Sequence, residues 1–360
     1  MPFYKALNPD TPVGRRTIEK LLTLRQALDG AIPQRTLEET LLLATWNIRE
    51  FDSGKYGLRT PESYYYLAEI IARFDLVAVQ EVREELRALD HLRQILGSNW
   101  DCFYTDVTEG TQGNGERMAF LYDNRKISPG GLASQMVMPP MEIRTKKGPV
   151  VFEPAKQLVR TPFIMGFKSG WTKFTLTTVH IYYGDSTKDN PMRVEEINKV
   201  AQFLRKKSDD PSESTKNLIL LGDFNIFSPE DVTMKAIHDA GFIVPEELQN
   251  LPSNIARDKF YDQIAFRVRE DRFGTTGKAG VFDFFDLVFR EDEEALYALE
   301  MGPGYETNNK GAPRTDKEKT RYYRDWRTHQ MSDHLPMWVE LRIDFSDEYL
   351  QRLLEPGEGS

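Results

Sequence analysis

Short apolar runs alternate with amphipathic segments along most of the chain. Residues 14–29 carry apolar side chains at helical spacing, which predicts a helix that ends at Gly30. Further helices are predicted at 62–73, 84–96, 191–207 and 228–241, the last from Ser228, Pro229 and Asp231 at its start. Apolar runs predict strands near 41–47, 76–81, 101–106, 117–123, 160–168, 173–180, 217–222, 260–268, 283–290 and 336–343. Strands interspersed with helices predict an α/β fold with sheets in the centre and helices outside.

The pattern shows no internal repeat and no long linker, so we expect one large domain with two extensions. We place an N-terminal helical extension at 1–40, the main domain at 41–345 and a C-terminal tail at 346–360. Polar and glycine-containing stretches predict flexible segments at 109–115, 143–149, 273–280, 302–319 and 355–360.

Composition excludes several classes of protein. Apolar residues make up 40% of the 360 residues, which is enough for a sizeable core. The net charge of −9 argues against a passive nucleic-acid coat, so any nucleic-acid contact needs a local basic patch. The single cysteine, Cys102, excludes an intrachain disulfide and a cysteine-based zinc site. No apolar run approaches the ~18 residues of a membrane span, and residues 1–14 lack a secretory apolar core, so we expect a cytoplasmic protein.

Polar side chains lie at the ends of five predicted strands: Asn47, Glu81, His180, Asp223 with Asn225, and Asp333 with His334. Turn capping would explain any one of them, but five together predict a single site at the edge of packed strands. Carboxylates and an amide without cysteine favour a hard divalent cation such as Mg²⁺ over zinc. Histidines beside such an ion can transfer protons at neutral pH. The set therefore suits attack of water on a phosphate ester.

Seven short motifs occur in one order between residues 41 and 343. They are Thr-Trp-Asn-Ile-Arg (45–49), Gln-Glu-Val-Arg (80–83), Glu-Arg-Met-Ala-Phe-Leu-Tyr (116–122), Val-His (179–180), Gly-Asp-Phe-Asn (222–225), Tyr-Asp-Gln-Ile (261–264) and Ser-Asp-His-Leu-Pro (332–336). In this order the chain resembles the endonuclease/exonuclease/phosphatase superfamily, within it the deoxyribonuclease I-like branch. The resemblance implies a four-layer α/β sandwich, in which two packed β-sheets are flanked by helices.

The resemblance also implies roles at the metal and the phosphate. Glu81 is expected to be the main ligand of Mg²⁺, which Mn²⁺ can replace, with Asn47 close to the metal. Asp333 is expected to be a further acidic group on the metal side. Asp223 and Asn225 are expected to position the attacking water and the scissile phosphate.

Two acid–histidine pairs follow from the same resemblance. His334 is expected to be oriented by Asp262, and His180 by Glu116, because a carboxylate on one imidazole nitrogen holds the tautomer. We assign the His334 pair as the base and the His180 pair as the acid, while the reverse assignment fits the sequence as well. The resemblance implies phosphate or backbone contacts for three arginines: Arg160, Arg49 and Arg83.

Two basic segments favour a nucleic-acid substrate. Segment 310–327 has seven basic and three acidic residues, with Tyr322, Tyr323 and Trp326 among them, and segment 126–173 has eight basic and two acidic residues. Basic residues mixed with aromatic ones suit a phosphate backbone with stacked bases, although a solvated loop can carry such charges too.

Three functions fit the sequence. The leading one is a divalent-metal-dependent nuclease, an endonuclease that hydrolyses DNA in preference to RNA and needs no obligatory protein partner. The second is a phosphoesterase of the same superfamily that acts on RNA, an inositol phosphate or a phospholipid head group. Inositol phosphatases have Trp-Cys-Asp-Arg where this chain has Tyr-Asp-Gln-Ile (261–264), which counts against that substrate. The third, an inactive binding scaffold, is disfavoured because every candidate catalytic position is filled.

Overall fold

Two β-sheets packed against each other form the centre of the computed structural model, which describes residues 2–51, 54–108, 115–144, 150–212, 217–268 and 273–354. The strands are β1 Thr40–Phe51, β2 Leu76–Arg83, β3 Trp100–Tyr104, β4 Glu116–Asp123, β5 Ser128–Gln135, β6 Met141–Arg144, β7 Val150–Glu153, β8 Phe163–Ser169, β9 Thr172–His180, β10 Leu218–Asp223, β11 Asp262–Arg267, β12 Thr275–Val281 and β13 Met337–Arg342. The helices are α1 Pro12–Ala31, α2 Pro61–Ile71, α3 Arg87–Leu96, α4 Pro191–Asp209, α5 Val232–Asp239, α6 Pro303–Glu306, α7 Asp316–Gln330 and α8 Ser346–Leu354. Short 3₁₀ segments lie at Glu246–Leu248 and Glu291–Tyr297.

Each sheet is mixed and has a parallel pair of strands at its centre. The six-stranded sheet has the order β12-β13-β1-β2-β4-β3, with β1 and β2 parallel. The five-stranded sheet has the order β11-β10-β9-β8-β5, with β9 and β10 parallel. Strands β6 and β7 form a separate antiparallel hairpin. Two packed sheets with helices outside them confirm the predicted fold class.

Strand β1 is buried on both faces, and its side chains alternate between two cores. Leu41 and Leu43 pack into the core that contains residues of both sheets. Leu42 and Trp46 pack on the opposite face, in the core shared with α1, α2, α3 and α7. Because successive side chains of a strand point to opposite faces, one continuous apolar run supplies both layers.

The N-terminal helix is part of this second core. Leu21, Leu24 and Leu28 of α1 are buried in the same cluster as the side chains of α2. Thr11 caps the helix by accepting a hydrogen bond from the backbone of Gly14, and Pro12 opens the first turn. The division into an extension at 1–40, a main domain at 41–345 and a tail at 346–360 stays a prediction; residues 355–360 lie outside the described part.

Most predicted elements are present, and the structure differs from the prediction in several stretches. The segment 283–290 is not a strand; the edge strand is β12, which occupies the stretch 275–281 within a segment predicted to be flexible. Segment 302–319 contains α6 and the start of α7, which Thr315 and Glu318 open with a capping box. Helix α5 begins at Val232 rather than at 228, because Ser228 donates its backbone N–H to Asp231 and forms a turn before the helix. Strands β5, β6 and β7 have no counterpart among the predicted elements.

Two of the predicted flexible segments, 109–115 and 143–149, fall mostly outside the described residues. In the part of the chain that is described, no helix has both the length and the apolar character needed to cross a membrane.

Candidate active site

The carboxyl ends of the two parallel strand pairs meet at one edge of the sandwich. The register pairs Asp223 of β10 with His180 of β9 on one side and with Asp262 of β11 on the other. This edge opens into a cavity of about 670 Å³ lined by Arg49, Glu50, Glu81, Arg83, Glu116, Arg160, His180, Tyr183, Asp223, Asn225, Tyr261, Asp333 and His334. Ten of the twelve predicted site residues therefore line one cavity, and the other two, Asn47 and Asp262, are buried directly behind it.

Asn47 joins the two sheets at the floor of the cavity. Its Nδ2 atom donates hydrogen bonds to Oε1 of Glu81 and to Oδ2 of Asp223, each over 2.9 Å. Its Oδ1 atom is buried and receives no hydrogen bond from the described residues. A buried amide oxygen without a donor is open to a cation.

Glu81 enters the cavity because β2 is irregular at this point. Its φ is +60°, and the register between β2 and β4 shifts between Val79 and Val82, which is the signature of a bulge. Oε2 of Glu81 accepts a hydrogen bond of 2.7 Å from the backbone of Glu50. Together with Asn47 Oδ1 and the Asp223 carboxylate, Glu81 offers the oxygen ligands that a hard divalent cation prefers.

A second group of potential ligands is formed by Asp223, Asp262 and His334, whose ligand atoms lie within 4.8 Å of one another. Nδ1 of His334 lies 2.7 Å from Oδ2 of Asp262, and Nε2 lies 3.8 Å from Oδ2 of Asp223. Burial disfavours a charged imidazole, but Asp262 and Asp223 outweigh it and raise the pKa of His334 well above its usual value. The oxygen set at Glu81 suits a hard cation, and this second group, which includes an imidazole nitrogen, has the chemistry for proton transfer.

Asp262 is held from two sides. Its Oδ2 atom also accepts a hydrogen bond of 2.7 Å from the hydroxyl of Ser253, whose Oγ in turn accepts the backbone N–H of Asp262. The side chain is fully buried at the start of β11. This arrangement fixes the carboxylate and hence the ring of His334.

His180 faces Asp223 from the opposite side. Its Nε2 atom lies 3.5 Å from Oδ2 of Asp223 and 3.9 Å from Oε1 of Glu81, while Nδ1 lies 3.0 Å from Oε2 of Glu116. Burial disfavours the ionised form of Glu116, but His180 and Arg160 outweigh it and lower its pKa to about 2. Glu116 is therefore an anion beside His180 at neutral pH.

The three predicted phosphate-binding arginines line the cavity, each beside a polar or acidic group. Arg160 donates from Nε to Oε2 of Glu116 over 2.6 Å, and Nη1 of Arg83 lies 4.0 Å from the same carboxylate. Arg49 donates from Nη1 to the hydroxyl of Thr328 in α7, and its Nε lies 3.8 Å from Oδ2 of Asp333. Arg160 is thus part of the buried Glu116 pair, whereas Arg49 and Arg83 are more exposed.

Asn225 lies in the sharp turn after β10. Its φ is +54°, its backbone N–H donates to Oδ1 of Asp223, and its Nδ2 donates to the carbonyl of Ile181. The preceding Gly222 has a φ of +132°, and a Cβ atom there would lie 2.2 Å from the carbonyl oxygen of Val179. Gly222 therefore lets β10 approach β9 closely at the point where Asp223 meets His180.

Three cavity residues were missed by the sequence analysis: Glu50, Tyr183 and Tyr261. The ring of Tyr261 lies 5.4 Å from that of His334, and Tyr183 meets Tyr261 edge-on at 6.5 Å. Each of the three follows or precedes a predicted site residue by one to three positions, and that proximity in the sequence is the signal that could have found them.

The sequence of the chain is similar to that of known proteins. The family model described as Endonuclease/Exonuclease/phosphatase family matches residues 44–236. A protein named deoxyribonuclease from Thioalkalivibrio sp. (strain K90mix) is 30% identical over 261 residues, which cover 70% of this chain and 64% of that protein.

Solved structures share the fold at low sequence identity. An endonuclease/exonuclease/phosphatase family protein from Bacteroides thetaiotaomicron matches with a TM-score of 0.50 and 16% identity, over 85% of this chain and 99% of that one. D. rerio TDP2 complexed with single strand DNA product matches with a TM-score of 0.50 and 14% identity, over 84% of this chain and 98% of that one.

Proposed function

The chain belongs to the endonuclease/exonuclease/phosphatase family, in its deoxyribonuclease I-like branch, and we propose that it is a Mg²⁺-dependent endonuclease that hydrolyses phosphodiester bonds of DNA. The observation that carries this proposal is the position of Asp223. Its carboxylate lies between the imidazole of His180 and that of His334, which come from different sheets. A carboxylate with a proton-transfer group on each side suits the attack of water on one face of a phosphorus atom and the departure of an oxygen from the other.

Glu81 and Asn47 would hold the divalent cation, with Asp333 as a further acidic group nearby. A bound Mg²⁺ or Mn²⁺ polarises a phosphoryl oxygen and neutralises the charge that develops on it. The buried Asn47 Oδ1 and the Glu81 carboxylate, both hard oxygen ligands, support this assignment.

The chain's own groups would carry the proton transfers. His334, oriented by Asp262, would take a proton from the attacking water at Nε2, and His180, oriented by Glu116, would donate one from Nε2 to the leaving oxygen. Both Nε2 atoms lie close to Asp223, so the reverse order fits the same geometry. The raised pKa of His334 favours that reverse order, in which His334 donates the proton. Asp223 and Asn225 would position the water and the phosphate.

The arginines would bind the phosphate and its neighbours. Arg49 and Arg83 line the cavity beside the proposed reaction centre. There, each guanidinium group can donate two parallel hydrogen bonds to a phosphate. Arg160 can act through Glu116, with which it forms a buried ion pair. Of the described basic residues in segment 126–173, Arg160 is the one that lines the cavity, whereas Lys126 is buried in an ion pair with Asp75.

The choice of DNA rests on the relatives. The similar protein from Thioalkalivibrio is named a deoxyribonuclease, although this chain spans 64% of its length, and the D. rerio structure contains single strand DNA product. No obligatory protein partner is part of the proposal. A cytoplasmic location, also proposed, fits the single free thiol of Cys102.

Incubation of the purified chain with supercoiled plasmid, linear single-stranded DNA and RNA, with Mg²⁺ or with chelator, tests the proposal. We expect nicked and then linear plasmid with Mg²⁺, no product with chelator, and slower cleavage of RNA. A parallel incubation with inositol phosphates measures released phosphate. Release of phosphate without plasmid cleavage would replace the nuclease by a small-molecule phosphoesterase, and Asp223→Asn serves as the inactive control.

A further inference from the structure

Helix α7 begins away from the cavity and ends at its wall. Near its carboxyl end, Thr328 accepts a hydrogen bond from Arg49, which lines the cavity. At 1.5 Å per residue, Lys317 lies about 16 Å from Thr328, toward the start of the helix and away from the cavity. The exposed face of α7 is therefore a path that leads from solvent into the candidate active site.

Cationic side chains line this face. At about 100° per residue, Lys317, Arg321, Arg324 and Thr328 lie within a sector of about 60° around the helix. Lys317, Arg321 and Arg324 are exposed, and no carboxylate of α7 lies in the same sector. We call these three residues the α7 stripe.

Three acidic groups near the stripe are Glu318, Asp325 and Glu291. Glu318 is engaged in the capping box with Thr315, and Asp325 lies at the edge of the sector. Nε of Arg324 lies 3.7 Å from Glu291, an exposed and therefore weak pair. Among the described residues, neither Lys317 nor Arg321 has an ion-pair partner.

The remaining cations of the helix face other groups. Lys319 contacts Glu306 and the ring of Tyr305 on the far side, and Arg327 is buried against Glu291 and the carbonyl of Phe289. Tyr323 and Trp326 are buried in the core behind the helix. The positive charge of the segment is thus divided between packing contacts on one side and the α7 stripe on the other.

An aromatic cavity adjoins the stripe. Arg321, Tyr322 and Tyr56 belong to the lining of a cavity of about 520 Å³, and the two tyrosine rings meet edge-on at 5.6 Å. Both rings are half-buried, with Lys55 5.8 Å from the centroid of Tyr56 and Arg314 5.0 Å from that of Tyr322. Glu318 and Asp325 also line this cavity. A row of cations beside aromatic rings is the arrangement by which proteins bind the phosphates and unpaired bases of a single strand.

We propose that the α7 stripe binds the phosphates of an unpaired nucleic-acid strand that runs into the active site, and that the adjoining cavity takes one of its bases on Tyr56. The proposal rests on the proposed nuclease function for the identity of the strand. It assigns to the stripe a role in binding that is separate from the reaction. A short substrate that ends at the scissile phosphate cannot reach these residues.

The test is the triple variant Lys317→Gln, Arg321→Gln, Arg324→Gln. A matched control, Lys319→Gln, Lys199→Gln, Arg342→Gln, changes the net charge by the same amount at residues away from the stripe. Binding of a fluorescent single-stranded oligonucleotide in chelator is measured by anisotropy against salt. Cleavage of DNA and of a nitrophenyl phosphodiester is measured with Mg²⁺.

We expect the stripe variant to bind the oligonucleotide at least about tenfold more weakly, and its log–log salt slope to be shallower by about two units. Its rate on the nitrophenyl diester should stay within twofold of the parent, and the control should match the parent throughout. Equal binding by the stripe variant and the control overturns the proposal, as does an equal loss on DNA and on the small diester. Stripe-dependent binding without any cleavage would support the stripe and reject the nuclease function.

The base site has its own measurement. Tyr56→Leu should weaken binding of the single strand several-fold and leave binding of the same strand annealed to its complement unchanged. Equal binding of the single strand by parent and variant rejects Tyr56 as a base contact. Since this comparison is made in chelator, its result is independent of catalysis.

Discussion

Nδ1 of His334 lies 2.7 Å from Oδ2 of Asp262, although the two residues lie on segments that lead into different sheets. Asp262 begins β11 of the five-stranded sheet, and His334 precedes β13 of the six-stranded sheet. The contact therefore joins the two sheets at the edge where the candidate active site opens. It also makes the orientation of the imidazole depend on how the sheets pack.

Loss of this contact should reduce catalysis more than folding. We expect His334→Ala to lower kcat on a nitrophenyl phosphodiester by about 10² or more, and Asp262→Asn to act in the same direction. The double variant should lose little more than His334→Ala alone, because the two residues act as one unit. Circular dichroism checks folding, and additive losses would contradict a shared role.

Variants of the His180–Glu116 pair should also lose activity, and the Glu116 variant should lose stability as well. We expect His180→Ala to lower kcat by about 10² or more and Glu116→Gln to lower it as well. Glu116→Gln should also reduce the free energy of unfolding by about 3 kcal/mol, because it leaves the buried Arg160 without its charge partner. Urea denaturation measures that loss; parent-like kcat for His180→Ala would make the residue structural only.

Glu81 should determine the metal requirement. We expect hydrolysis to stop in chelator and to return with Mg²⁺ or Mn²⁺, and Glu81→Gln to be inactive or to need far more metal. Mg²⁺ should raise the Tm of the parent but not that of Glu81→Gln. Glu85→Gln, at an exposed acid of the following loop, is the control. Full activity of Glu81→Gln, or of the parent in chelator, would remove Glu81 from the metal site.

Gly222 should be irreplaceable. A Cβ atom there would lie 2.2 Å from the carbonyl oxygen of Val179, and the φ of +132° is unfavourable for any other residue. We expect Gly222→Ala to cost about 2–4 kcal/mol in the free energy of unfolding and to lower kcat by moving Asp223. Gly30→Ala is the control, because its site in α1 is open and alanine favours helices. A stable and active Gly222→Ala would contradict the close approach of β9 and β10.

Buried His329 should make stability depend on pH. Burial, helped by the nearby charge of Arg59, lowers its pKa to about 4 from an ordinary value of 6.5. The unfolded chain therefore binds the proton first as the pH falls, so stability is intact above the ordinary pKa and is lost progressively from there down to about pH 4.

The loss between pH 7 and pH 5 should be about 2 kcal/mol larger in the parent than in His329→Gln. Urea denaturation of the parent and of His329→Gln at both pH values gives the four free energies of unfolding that are compared. His91→Gln, at an exposed histidine that packs on Tyr64, is the histidine variant measured beside it. An identical pH dependence for His329→Gln and the parent would show that His329 does not cause the loss of stability at low pH.

The approximate positions of the strands around the site follow from the sequence alone. The strands around the site are short apolar runs, and a polar residue at the end of such a run leaves the core at the sheet edge whatever the rest of the chain does. This is why the local sequence suffices to assign His180 and Asp223 to strand ends, whereas Asn47 lies within β1, which continues to Phe51. The roles assigned to these residues stay predictions.

The secondary structure of two stretches was predicted wrongly from the local pattern. β12 contains two glycines and three exposed threonine and lysine side chains, so its sequence is that of a loop; it is a strand because β13 offers a free edge for hydrogen bonds. Segment 283–290 is apolar for a different reason. Phe284 and Val288 are buried in the core against the helices without pairing to a sheet.

Only the tertiary structure decided which groups face each other. The placement of Asp223 between His180 and His334 depends on strand register and on the packing of two sheets. The pairing of Arg160 with Glu116, and that of Lys319 with Glu306, depend on which partner lies within reach. A sequence specifies which residues leave the core, because burial is coded locally by the alternation of apolar and polar positions. It does not state which distant side chain each will meet, because long-range register and competition between partners set those distances.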